Sequence, residues 1–148
     1  MTKYALRKNR HRTQGQHGQS LVEFALVAPI LIVLFMGMFD FGWILHQQIQ
    51  MDNATRLGAR RGAVGETNAV IISRMQATCS FELPTSQITI DVRDGNGTSI
   101  GNNNDRTPDN LISVSINRPN IQLITPLGHM IAGLGPINLR SEAEFLIE

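Results

Sequence analysis

The sequence predicts an α+β chain in which a long N-terminal transmembrane helix extends into a small domain with a three-stranded antiparallel sheet and short helices. Three observations carry this reading. An uncharged apolar run occupies Phe24–Phe39 and resumes past Asp40 as far as Leu45. A polar stretch with helical spacing follows it. Three later segments alternate apolar and polar residues with a period of two, the pattern of strands that bury one face. A chain of 148 residues has room for one modest domain beside an anchor. The expected organisation is a basic leader at 1–18, the helix and its extension at 19–64, and an extracytoplasmic α+β domain at 65–148.

The charge distribution separates the leader from the rest. Lys3, Arg7, Lys8, Arg10 and Arg12 lie in residues 1–18, which hold no acid. Taking those five from 13 Lys and Arg leaves eight against 12 acids, a net of −4 for the body. A nucleic-acid footprint is a basic face on the folded domain, so nucleic acid is not an expected partner. Cys79 stands alone and cannot form an intramolecular disulfide. It reads as a small buried apolar residue, with an intermolecular bridge in an oxidising compartment as the sharper alternative.

At about 1.5 Å per residue, Phe24–Phe39 spans about 24 Å and Phe24–Leu45 about 33 Å. A hydrocarbon core of about 30 Å lies between these, so a spanning helix that admits Asp40 near one interface fits, with membrane lipid as its surroundings. Trp43 is the aromatic anchor expected at that interface, and Pro29 predicts a local kink. A secretory signal peptide would also join a basic head to an apolar run. This run is longer than an ordinary signal core, and no A-x-A-like site follows it closely. Five basic residues before the run against Arg56, Arg60 and Arg61 after it give a positive-inside bias. The expectation is an N-terminus in the cytoplasm and a body outside.

Beyond the run the helix is expected to continue from His46 to about Val64. Ala54, Gly58 and Gly62 recur every four residues and leave one face without bulk, where the body's own sheet can dock closely. A second helix is expected at Asn68–Ser80, with Ile71, Met75 and Cys79 on one face. The three strands are Gln87–Arg93, Leu111–Asn117 and Ile137–Ile147. Thr125-Pro126 reads as the cap and first turn of a short helix ending near Gly133 or Gly135. Residues Asp94–Asn110 are expected to form one long surface loop. Asp94, Asn96, Thr98 and Asp105 fall at positions 1, 3, 5 and 12 of a calcium-loop count. However, Ser99 stands where that loop needs glycine, and strands flank it. Asn96-Gly97-Thr98 also matches a glycosylation sequon.

The chemistry-bearing pattern lies at the start of the membrane run, Gly18-Gln19-Ser20-Leu21-Val22-Glu23-Phe24. Taken alone, Glu23 reads equally well as a solvated carboxylate at headgroup level. Its position between a basic leader and the one spanning run gives the spacing weight. The arrangement resembles the processing site of type IV prepilins. The wider stretch has a Val-Glu-Phe start, an Ala-Pro pair in the apolar run, an Asp-Phe-Gly exit and an Asn-Ala…Gly-Ala-Arg helix. It is similar to the TadE-like family of the tight-adherence (Flp/Tad) pilus system, whose Pro- and Gly-punctuated ending the stretch from Asn117 to Phe145 also resembles.

That resemblance implies a pilin-like fold and a minor pilin or pseudopilin in the cytoplasmic membrane. It implies cleavage between Gly18 and Gln19 by a membrane-embedded prepilin peptidase. It also implies that Glu23 meets the new N-terminal amine of a neighbouring pilin subunit. The polar Gln19 and Ser20 depart from the mostly apolar pattern of type IV pilins.

No nucleophilic or acid–base set is apparent, so no enzyme activity and no cofactor or metal are expected. His11, His17, His46 and His129 are dispersed. Asp40-Phe41-Gly42 spells a kinase metal-binding triplet, but the glycine-rich and catalytic loops of a kinase are missing. Asp40 lies 17 residues after Glu23, about 25 Å along a helix. It is expected either to reach the outer headgroups or to pair with a partner's cation. Two other readings stay open: a membrane-tethered extracytoplasmic binding module, and a secreted calcium-binding domain.

Overall fold

A computed structural model describes residues 16–101, 106–126 and 136–147. The leader's Lys3, Arg7, Lys8, Arg10 and Arg12, His11 and His129, Asp105, the side chain of His17 and the expected short helix beyond Pro126 lie outside the described residues. Helix α1 runs unbroken over Gln16–Ala63, 48 residues that include Pro29, or about 72 Å at 1.5 Å per residue. Its end is built by a glycine. Gly65 adopts φ 93°, Glu66 donates its N–H to Arg61 O at 3.2 Å and Gly65 donates to Gly62 O at 3.1 Å. These two bonds satisfy carbonyls that the last turn would otherwise leave bare. Arg60 and Arg61 in that turn complement the negative end of the helix dipole.

Helix α2, Asn68–Thr78, returns along the outer part of α1 and buries Ile71 and Met75. Arg106 holds the turn between the two helices. It donates to the carbonyls of Gly62 and Glu66 and to Asn68 Oδ1 at 2.7 Å. A single 3-10 turn, Thr85–Gln87, leads into the sheet.

The sheet has four strands rather than the expected three. They are β1 Ile88–Arg93, β2 Ser99–Gly101, β3 Leu111–Ile121 and β4 Ile137–Leu146, in the order β2-β1-β3-β4, antiparallel throughout. The extra strand β2 falls in the segment expected to be an unbroken loop. Asp94 explains it. Its side chain accepts from the backbone of Asn96 at 3.0 Å and Thr98 at 2.8 Å, while its carbonyl accepts from Gly97 at 2.8 Å. With Gly97 at φ 80°, the chain reverses tightly enough to pair Arg93 with Ser99.

Strand β3 also outruns its expected end at Asn117. Pro119 has no N–H to give the ladder, and the register shifts between Arg118 and Ile121. Asn120 takes φ 59° and gives its N–H to the side chain of Asn138 at 3.1 Å. A bulge therefore absorbs the proline instead of ending the strand.

One face of the sheet packs on α1, and α2 joins the same core. Ile90, Val92, Ile112, Val114 and Ile116 meet Met51, Ala54, Ala59, Ile71 and Met75 in a single buried cluster. Full burial of each large side chain contributes roughly 1.5–3 kcal/mol. Phe145, expected on this face, is 40% exposed where the helix runs out.

The opposite face is polar. Arg93 lies between Asp91 at 3.6 Å, Glu142 at 3.3 Å and Glu144, and Ser113 donates to Glu142 at 3.0 Å. The Ser113 hydroxyl, aided by Arg140 and Arg93 against the cost of burial, holds the Glu142 carboxyl below its ordinary range. A lowered carboxyl contributes stability that is full above its unfolded value and lost as pH falls through the folded one. The melting temperature in detergent micelles should therefore fall on acidification through that range, and Glu142→Gln should make the fall shallower.

Candidate functional site at the membrane helix

The first two turns of α1 hold the motif residues. Gly18 is helical, with nothing within 4 Å of where a Cβ would stand. Gln19 donates to Glu23 Oε1 at 3.4 Å, and Glu23 is exposed. N–H groups of a first turn have no partners within the helix. The Gly18–Gln19 bond can therefore unwind into an extended strand at little cost, with glycine adding backbone freedom.

The apolar run follows. Leu26, Ile30, Leu34, Phe35, Phe39 and Phe41 are all more than half exposed. Among the described residues this is the one helix long and apolar enough to cross a membrane, and none of its most apolar stretch is buried by the rest of the chain. Within Phe24–Leu45 only Asp40 is buried, at 4% exposure. It was expected to reach headgroups or a partner's cation, and instead its own chain satisfies it. Thr125 donates its backbone N–H to Asp40 Oδ1 at 2.9 Å and its hydroxyl to Oδ2. An isolated acid in hydrocarbon costs roughly 2.5–3.5 kcal/mol at the bilayer centre, which two aimed donors offset. Trp43 is 40% exposed, its ring 6.3 Å from that of His46 and tilted by 32°. It borders a cleft of about 410 Å³ with Gln47, Glu82, Arg118 and Asn120.

Farther out, the small-residue face meets the body. Ala54 is fully buried. A Cβ on Gly58 would stand 2.6 Å from Met75 Sδ, and one on Gly62 would stand 2.2 Å from Ile112 Cδ1. Both glycines thus admit bulk from α2, and Gly62 from β3 as well. Arg56, Arg60 and Arg61 lie on the exposed side.

Two polar seams beside this face escaped the sequence reading. In one, Ser141 donates to Asp52 at 2.6 Å and lies 2.9 Å from the Thr55 hydroxyl, while Gln48 donates to Asp52 at 3.0 Å and to Arg140 O at 3.2 Å. In the other, Arg118 donates to Gln47, its guanidinium carbon 3.9 Å from the Phe81 ring centre. The signal was the three-to-four-residue spacing of Gln48, Asp52 and Thr55. Cys79 is half-buried and free. Burial raises its thiol pKa, against the pull of the Arg118 charge, which makes it a poor nucleophile.

The fold and site together define a single-pass anchor helix whose outer part carries a small α+β body. Residues 18–60 match the family of TadE-like proteins, which bears out the family resemblance over the motif, the span and the first part of the docking face. No curated protein and no solved structure gives a match.

Replacing Gly62 tests the docking face. Leucine favours helix over glycine by up to about 1 kcal/mol. Even so, Gly62→Leu should cost about 1–3 kcal/mol of unfolding free energy in micelles through overpacking. Gly42→Leu, where nothing stands within 4 Å, should cost nothing measurable.

Proposed function

We propose that this chain is a minor pilin or pseudopilin of a tight-adherence (Flp/Tad) pilus assembly and secretion system, structural rather than catalytic. The observation that carries the proposal is the coincidence of three features in residues 18–60. They are the TadE-like family match, the Gly18…Glu23 spacing, and a helix whose most apolar stretch is left uncovered by the described residues. In this reading the leader stays in the cytoplasm, the helix crosses the cytoplasmic membrane, and the body stands outside it. Prepilin peptidase removes residues 1–18. The helix then assembles with those of other pilin-like subunits, and Glu23 sets its register against a neighbour's N-terminal amine.

Several physical features support assembly through the helix. Its exposed apolar side chains suit both lipid and a bundle of like helices. Glu23 is exposed and accepts from the Gln19 amide at a long 3.4 Å, so it is open to a cation from outside. Among the described residues the body packs on the outer part of α1 and bonds the Asp40 turn, and the side chains of the inner half are mostly exposed and open to other subunits.

N-terminal sequencing of the membrane-fraction protein from cells with active prepilin peptidase tests the reading. The expected mature chain begins at Gln19, and Gly18→Ala should leave most of the chain with its leader. A chain that begins at Met1 or Thr2 in those cells contradicts the processing step.

A further inference from the structure

Two carboxylates on α1 set a problem of depth. Glu23 and Asp40 are 17 residues apart, about 25 Å along the helix, and the hydrocarbon core is about 30 Å thick. A helix lying along the bilayer normal cannot keep both outside that core, and tilt brings them closer in depth. The structure distinguishes the two. Glu23 is exposed, whereas Asp40 is buried and takes two donors from Thr125. Trp43 lies one turn outward of Asp40, and tryptophan favours the headgroup boundary. Asp40 therefore falls on the hydrocarbon side of that boundary.

Thr125 must then lie at the same depth, because its N–H and hydroxyl reach Asp40 directly. Met36, Gly37 and Ile44, within about one turn of Asp40, are half-buried, while most of the run is exposed. Ile124 beside Thr125 is 61% exposed, and Pro126 is exposed as well. Residues 119–139 contain no Asp, Glu, Lys or Arg, so no charge holds this part of the chain in water.

We propose that the start of the β3–β4 connection is a second membrane-contacting element. Thr125 carries it down to Asp40, and Ile124 and Pro126 lie against the acyl chains of the outer leaflet. The inference rests on the reading of α1 as a membrane span. Lipid is the occupant because Thr125, between Ile124 and Pro126, is bonded to Asp40, whose own neighbours Phe39 and Phe41 are exposed on the apolar run. The latch also fixes the body's height: a sheet tied at Asp40 sits directly on the membrane surface instead of standing away on the helix.

The test places single cysteines in the full chain with Cys79→Ala as background, reconstituted in phosphatidylcholine vesicles. The three positions are Ile124→Cys, Leu31→Cys in the middle of the run and Thr89→Cys on the outer sheet face. Each is read twice, by its rate of modification with a water-soluble maleimide and by quenching of an attached fluorophore with nitroxide-labelled phosphatidylcholine. Because the bilayer core holds no water, Ile124→Cys should react about tenfold or more slowly than Thr89→Cys, and its label should be quenched by nitroxide lipid as that at Leu31 is. Reaction as fast as at Thr89, with Leu31 still quenched by lipid, overturns the proposal and leaves the span intact. Protection at Ile124 without lipid quenching means that protein covers it, which also overturns the proposal. Absence of lipid quenching at Leu31 removes the span reading and the proposal with it.

Discussion

A chain that crosses hydrocarbon must satisfy its own backbone N–H and C=O groups, because lipid offers no partners. Here α1 meets that constraint by remaining helical from Gln16 to Ala63, well past the end of the apolar run. The same helix serves two surroundings in succession. Its run Phe24–Phe39 is apolar on every side, as a segment among lipids or like helices must be. Its second half buries one side, where Met51, Ala54, Ala59 and the two glycines meet the sheet and α2. No hinge or linker separates the halves. The orientation of the body is therefore fixed by the helix itself, and a force or rotation applied to the anchor passes directly to the sheet.

Two features couple the halves more tightly than continuity alone. The small face at Ala54, Gly58 and Gly62 lets α2 and β3 approach the helix closely, which raises the dispersion gained per residue. The Asp52–Thr55–Ser141 seam adds directional bonds that fix the register of β4 against α1. The third tie, Thr125 to Asp40, lies nearest the membrane. Together these attach the body at three heights along α1, a stiffer arrangement than one hydrophobic patch could give.

Much of this was legible in the sequence because the patterns were periodic and undisturbed. The apolar run, the alternation in Ile112–Ile116 and the four-residue spacing of small residues each have one simple physical reading. The fourth strand was missed because its three residues carry no periodicity. An Asp94 side chain that caps its own turn creates it, and that chemistry resembles an ordinary loop. The length of β3 was missed because proline normally ends a strand, and the Asn120–Asn138 bond that rescues it is a contact between distant residues. Asp40 was recognised as unusual, but its partner lies 85 residues away, a distance over which sequence spacing says nothing. The leader and the segment after Pro126 lie outside the described residues, so the reading of those parts rests on the sequence.

The central claim is that one helix anchors the body in a membrane and holds it on one side. Alkaline carbonate extraction of one portion of cell membranes, and protease treatment of sealed vesicles from another, test this directly. The account predicts that the full chain stays in the membrane pellet, and that protease added to the extracytoplasmic side cuts the body while the segment around Leu31 survives. Release of the intact chain into the carbonate supernatant would contradict it.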